Sequence, residues 1–281
     1  MDDHRITSER ISAFGQCLHK EDRCAGTIEK YLRDVRAFAA WLDGNTVTRD
    51  MALGWKEHLL LGGYCPTTIN SMLAAVNAFF RFEGWQECRI RFLKIQRRMF
   101  RDSKRELTRA DYNRLLDTAR RQGRERLALL METICATGIR VSELKYITVA
   151  AAVQGRAEIS LKGKIRTILL SAKLCRKLLK YVKKQKIASG EIFLTGSGKS
   201  MSRRQIWASM KRLSQTAGVE DGKVFPHNLR HLFATTFYKV CKDIVKLADV
   251  LGHSSIETTR IYLLTTGAEH IRQLDRLGLV S

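Results

Sequence analysis

Apolar side chains recur every three to four positions along most of the chain, a spacing that predicts a succession of amphipathic helices. The first part contains four, over residues 8–19, 27–42, 49–61 and 66–82. The second has the clearest stripe, formed by Ile28, Tyr31, Leu32, Val35, Phe38 and Trp41. Asp43-Gly44 and Gly62-Gly63 are stop signals, and Pro66 followed by Thr67 and Thr68 is a start. Beyond a basic stretch, Thr108 is placed to cap a helix that runs to about residue 120, and another over 124–136 stops at Gly138. Over 157–170 the period changes to two. Ile159 and Leu161 precede Lys162-Gly163-Lys164, and Ile165, Thr167 and Leu169 follow it, which predicts a β-hairpin on a tight glycine turn. Helical spacing returns over 173–186, 203–216, 227–240, 244–251, 254–264 and 268–277. The expected fold is mainly α with a small β-sheet.

Composition narrows the class. The chain has 281 residues, room for two domains, and 44% hydrophobic against 28% charged residues is a globular balance. Two prolines in the whole chain agree with a helical protein. The longest apolar runs fall well short of the about 18 residues a membrane span needs, and Met1-Asp2-Asp3-His4-Arg5 opens with charges where a signal peptide is apolar. A cytoplasmic protein without membrane contact is expected. Its seven cysteines contain no C-x-x-C pair, and the nearest two, Cys17 and Cys24, lie seven apart. Neither a disulfide framework nor a zinc site is expected.

Charge points to a partner. Fifty Lys/Arg against 28 Asp/Glu gives +22, an excess suited to a polyanion. Residues 1–90 hold 11 basic and 12 acidic side chains and the remainder 39 and 16, so the later part faces the anion. Residues 91–105, with seven Lys/Arg and one Asp, read as a basic linker. The organisation expected is a helical domain over 1–96, a linker over 97–106 and a second domain over 107–281.

Several positions carry candidate chemistry. His227 and Arg230 share one face of a helix's first turn just after Pro226. In Leu251-Gly252-His253-Ser254-Ser255-Ile256-Glu257, Gly252 ends one helix, Ser254 and Glu257 form a capping box for the next, and His253 is held in the bend. Tyr262 lies on that next helix. Arg140 sits in the bend after Gly138, beside Ser142, a candidate cap, and Glu143, a candidate ion-pair partner.

Four stretches in order, Ala-Thr-Gly-Ile-Arg-Val-Ser-Glu-Leu (136–144), Leu-Lys-Gly-Lys (161–164), His-Asn-Leu-Arg-His-Leu-Phe-Ala-Thr (227–235) and Leu-Gly-His-Ser-Ser-Ile-Glu-Thr-Thr-Arg-Ile-Tyr (251–262), closely resemble the tyrosine recombinase, or phage integrase, family. The resemblance spans essentially the whole chain and matches the two-domain Xer-type layout: a helical core-binding, SAM-like domain and an α+β catalytic domain. It implies a site-specific DNA recombinase that cleaves and rejoins strands through a 3′-phosphotyrosyl link. By that likeness Tyr262 is the nucleophile, Arg140 and Arg230 clamp the scissile phosphate, and His253 donates a hydrogen bond to it. His227 positions the phosphate or assists as acid/base, and Lys162 is the general acid, with Lys164 across the same glycine as the alternative. No metal or other cofactor is implied. The implied partners are double-stranded DNA bearing a recombination site and three further copies of the chain, a homotetramer on two sites, in a prokaryotic nucleoid-associated setting. The segment 265–281, with Ile271, Leu274, Leu277 and Leu279, packs either on a neighbouring subunit or on its own domain. A type IB topoisomerase, with the same covalent chemistry, and a non-catalytic DNA-binding protein are the competing readings.

Overall fold

A computed structural model describes residues 4–96, 105–161, 164–262, 271 and 275–277, with the backbone alone at 161 and 164. The chain divides into two compact units, Met1–Arg97 and Arg98–Ser281. Most of the predicted linker, and Lys162 and Gly163, lie outside the described residues.

The first unit is a four-helix array: α1 (Ser8–Lys20), α2 (Ala25–Leu42), α3 (Arg49–Leu61) and α4 (Pro66–Glu83). The apolar stripes meet as their spacing requires, burying Phe14, Val35, Phe38, Leu59, Leu73 and Phe79 together. After α4 the chain turns at Gly84, in left-handed conformation with φ +80°, and runs back along the helix. Asn77 and Asn70 hold it there. Each donates its amide N–H to a carbonyl and accepts a backbone N–H, at Ile90 and Leu93 respectively, with distances of 2.8–2.9 Å. Two amide side chains thus give an irregular segment the pairing a strand neighbour would give.

The second unit is built around α6 (Glu125–Thr137). Leu127 to Met131 and Ile134 are all buried, so this helix is covered on most of its surface and serves as the central one. Packed on it are α5 (Arg109–Arg121), α8 (Ala172–Lys184), α9 (Arg203–Ala217) and α10 (Pro226–Cys241). Reciprocal capping boxes start two of them, Thr108 with Asp111 at α5 and Ser202 with Gln205 at α9. A 3₁₀ turn at Val141–Tyr146 and the short α7 (Val149–Gln154), unmarked by sequence periodicity, lead into the hairpin β1 (Arg156–Leu161) and β2 (Lys164–Leu169). The last described helices are α11 (Ile244–Leu251) and α12 (Ile256–Arg260). The fold is mainly α with a small two-stranded sheet.

The structure adds the facing of the hairpin and corrects three local expectations. On β2 the apolar set Ile165, Thr167 and Leu169 faces solvent, Ile165 and Leu169 being 78% and 77% exposed, while Arg166 and Ile168 face the body of the unit. The register is the reason: Ala157 and Ile159 are buried on β1, and their partners are Ile168 and Arg166. Among the described residues Ser142 caps nothing; Arg140 holds the N-cap position of the 3₁₀ turn. The cap of α12 is Ser255, whose hydroxyl accepts the Glu257 N–H, and α12 ends at Arg260, leaving Tyr262 in the turn beyond it instead of on the helix. The predicted helix over 268–277 lies largely outside the described residues.

Candidate active site

Three chain reversals converge in the second unit. The first follows α6, where Gly138 takes φ +65° and a Cβ would stand 2.4 Å from Phe233, so only glycine fits the bend. Its carbonyl accepts a hydrogen bond from Arg230 Nη1, and two residues later Arg140 starts the 3₁₀ turn. The second is the first turn of α10, begun by Pro226, which brings His227 and Arg230 onto one side. The third is the bend between α11 and α12, where Gly252 takes φ +62° and the His253 N–H donates to Ala248 O at 3.0 Å.

Arg230 is 2% exposed and, among the described residues, has no carboxylate within reach. It donates to two carbonyls, those of Gly138 and of Leu251, the latter at 2.7 Å, and its Nη2 lies 2.9 Å from His253 Nε2. Burial and the nearby Arg140 charge pull its pKa down to about 10, partly offset by Tyr262. It is still a cation at neutral pH, held by dipoles that leave its charge uncancelled.

Arg140 is the more accessible guanidinium, its side chain 41% exposed. The buried Glu143 carboxylate accepts its backbone N–H at 2.7 Å and its Nη1 at 3.0 Å, while Nη2 points to Gly252 O at 3.4 Å. Glu143 serves a second arginine as well: Arg166, reaching in from β2, donates Nη2 to it at 2.5 Å and Nη1 to Val250 O at 3.1 Å. Two arginines therefore share one carboxylate, and with Arg230 beside them the site carries net positive charge among the described residues.

His253 stands against this charge. A guanidinium only donates, so His253 Nε2 is the acceptor and Nδ1 carries the proton, which it donates to the buried Thr259 hydroxyl at 2.9 Å. Burial, then the charges of Arg230, Arg140 and Arg166 and the ring of His227, push its pKa down to about 4. His227 lies exposed at the cleft, where partial loss of hydration, Arg230 and Arg140 lower its pKa too.

Tyr262 is 3% exposed. Its ring lies 6.0 Å from that of His253, nearly parallel at 9°, and 5.1 Å from that of His231. A cleft of about 660 Å³ reaches Arg140, His227, Arg230, His253 and Tyr262, and α9 contributes Arg203, Arg204 and Trp207 to its wall. Five of the six expected positions are thus brought to one cleft, and the sixth, Lys162, is outside the described residues. Arg166, Thr259 and His231 were not singled out by the sequence, and Glu143 only as a partner for Arg140. The register with β1 sets Arg166 opposite the inward-facing Ile159. Among the described residues, the cluster with metal-ligand spacing is His4, Glu87 and Cys88, in the first unit.

A positively charged pocket built of arginine forks, with a tyrosine at its floor, is suited to a phosphodiester. Two family models match the chain: the phage integrase family over residues 105–268, and the phage integrase N-terminal SAM-like domain over residues 11–87. Among curated proteins, the tyrosine recombinase XerA of Thermococcus kodakarensis is 31% identical, covering 95% of this chain and 94% of its own. The tyrosine recombinase XerC of Roseiflexus castenholzii is 30% identical, covering 91% and 88%. The solved structure of XerH recombinase bound to palindromic difH substrate has the same fold, with a TM-score of 0.69 at 18% identity over 100% of this chain and 91% of that one. With the family model matching more than half of its length, and a relative of this similarity along nearly all of it, the chain belongs to the phage integrase family of tyrosine recombinases.

Proposed function

We propose that this chain is a site-specific DNA recombinase in which the Tyr262 hydroxyl attacks a scissile phosphate held by Arg140 and Arg230. The Tyr262 oxygen–phosphorus bond forms as the bond to the 5′ oxygen breaks, leaving a 3′-phosphotyrosyl link and a free 5′-hydroxyl. Lys162 supplies the proton for that oxygen, and His227 positions the phosphate or takes the tyrosine proton. His253 donates a hydrogen bond to a non-bridging oxygen. Because the bond energy is kept in the phosphotyrosine, a 5′-hydroxyl from another strand reverses the step and rejoins the DNA without a nucleotide or metal. The observation that carries this reading is the packing of Tyr262 against His253, beside a buried arginine that donates to backbone carbonyls and meets no carboxylate among the described residues.

The relatives named as recombinases, and the solved relative bound to its DNA substrate, support exchange between two sites over simple relaxation. A homotetramer on two DNA sites follows from that reading. An apolar groove of about 340 Å³ beside Leu232, Phe233, Phe237 and Val240 offers a seat for the 265–281 segment of a neighbouring copy. No described helix is long and apolar enough to cross a membrane, and the proposed location is the cytoplasm, on the nucleoid.

The test is a nicked duplex that traps the covalent product. Wild-type protein forms an SDS-resistant adduct on DNA carrying the recombination site, whereas Tyr262→Phe binds that DNA and forms none. An adduct persisting in Tyr262→Phe would assign the nucleophile elsewhere.

A further inference from the structure

We propose that Arg166 is a positioning residue for strand cleavage: from β2 it holds the Glu143 carboxylate and the Val250–His253 bend in one arrangement, and so sets how Arg140 and His253 meet the phosphate. The inference rests on the cleavage site proposed above.

Three separate segments close on this one side chain. Arg166 itself belongs to β2, its Nη2 donates to Glu143 in the 3₁₀ turn, and its Nη1 donates to the Val250 carbonyl at the end of α11. The bend that carries His253 is moulded around it. At Gly252, already left-handed, a Cβ would stand 2.5 Å from both Arg166 Cδ and Nη1. Arg166 does not line the cleft, so any effect on the phosphate passes through Arg140 and His253.

Charge gives the arrangement its purpose. Arg140 and Glu143 alone make a neutral pair. With Arg166 sharing the same carboxylate the trio carries one net positive charge, and Arg140, the accessible member, presents it. Stability alone does not explain the side chain. Arg166 Nε is buried with no hydrogen-bond partner among the described residues, a cost accepted in a place where an apolar strand residue would pack without it. Burial also lowers the Arg166 pKa, against the pull of Glu143.

The experiment uses the full chain and the nicked duplex, with either a normal scissile phosphodiester or a methylphosphonate, which lacks the negative charge. For Arg166→Met, we expect DNA affinity and cooperative melting to be retained and adduct formation on the phosphodiester to slow about 10-fold or more. On the methylphosphonate, relative to wild type on the same DNA, the defect should shrink to about threefold or less, because a neutral phosphorus centre needs less cationic charge. An undiminished cleavage rate overturns the proposal, and so does an equal defect on both substrates, which is what simple loosening of the unit would produce. Should Arg166→Met fail to fold or bind, Arg166→Gln decides by the same comparison, since its amide keeps a donor for Glu143 without the charge. Tyr262→Phe runs alongside. An adduct in that variant, or none from wild type, removes the proposed function itself and is distinct from any result at residue 166.

Discussion

Arg230 Nη2 lies 2.9 Å from His253 Nε2, so in the DNA-free protein the imidazole turns a lone pair, not a proton, toward this buried arginine. The site is therefore set for charge to change on binding. Without DNA the His253 pKa is about 4, against 6.5 for the ordinary side chain. An unfolded chain thus binds one more proton at this residue between those two values, and stability must fall as pH drops through that window. His227, shifted in the same direction, adds to the fall. Melting temperatures of the DNA-free protein should decline from pH 7 to pH 5, and His253→Gln, which keeps a hydrogen-bonding amide, should decline less.

A bound phosphate reverses the sign. An anion beside His253 favours imidazolium and opposes the arginine charges, so DNA binding should raise the His253 pKa from about 4. Histidine-selective NMR titration of the Tyr262→Phe protein, free and bound to its site, measures this. A bound value at or below the free one would place the phosphate away from His253.

Gly138 and Gly123 separate steric from conformational cost. Both are left-handed, at φ +65° and +68°, but a Cβ at 138 meets Phe233 at 2.4 Å while nothing lies within 4 Å of one at 123. Gly123→Ala should cost about 1 kcal/mol from backbone strain alone. Gly138→Ala should cost about 3 kcal/mol, because overpacking is added. It should also slow cleavage, since the displaced carbonyl is an Arg230 acceptor. Denaturant melts and adduct assays of the two variants check both parts.

A leaving group that needs no proton tests Lys162. With sulfur replacing the bridging 5′ oxygen, Lys162→Ala should recover adduct formation strongly, Arg140→Ala and Arg230→Ala should recover little, and Lys164→Ala should show little defect on either substrate. Recovery at Lys164 instead would move the general acid across the turn.

Arg203 and Arg204, both exposed on α9 and lining the cleft, are expected to neutralise DNA phosphates. Affinity of the full chain should fall steeply with salt, and each single alanine variant should reduce the log–log slope by about 1. An unchanged slope would take that arginine out of the DNA footprint.

What the sequence determined by itself was local. Helix spacing, the stops at Gly138 and Gly252 and the cap of α5 depend on contacts within about four residues, and each was legible there. Local patterns also left close alternatives open, which is why Ser255 and not Ser254 caps α12 and Tyr262 falls just past the helix. The motif residues placed Arg140, His227, Arg230, His253 and Tyr262 on the candidate list, but nothing along the chain says that Arg140 will approach Gly252, 112 positions away. That meeting, the sharing of Glu143 by Arg140 and Arg166, and the depressed His253 pKa belong to the tertiary structure. The physical reason is that a strand shifted by one residue keeps its period and changes every inward side chain. Only the register with β1 and the packing of α10 on α6 and of α11 on α10 decide that Arg166 faces in, and charges acquire their pKa values from neighbours in space, not in sequence.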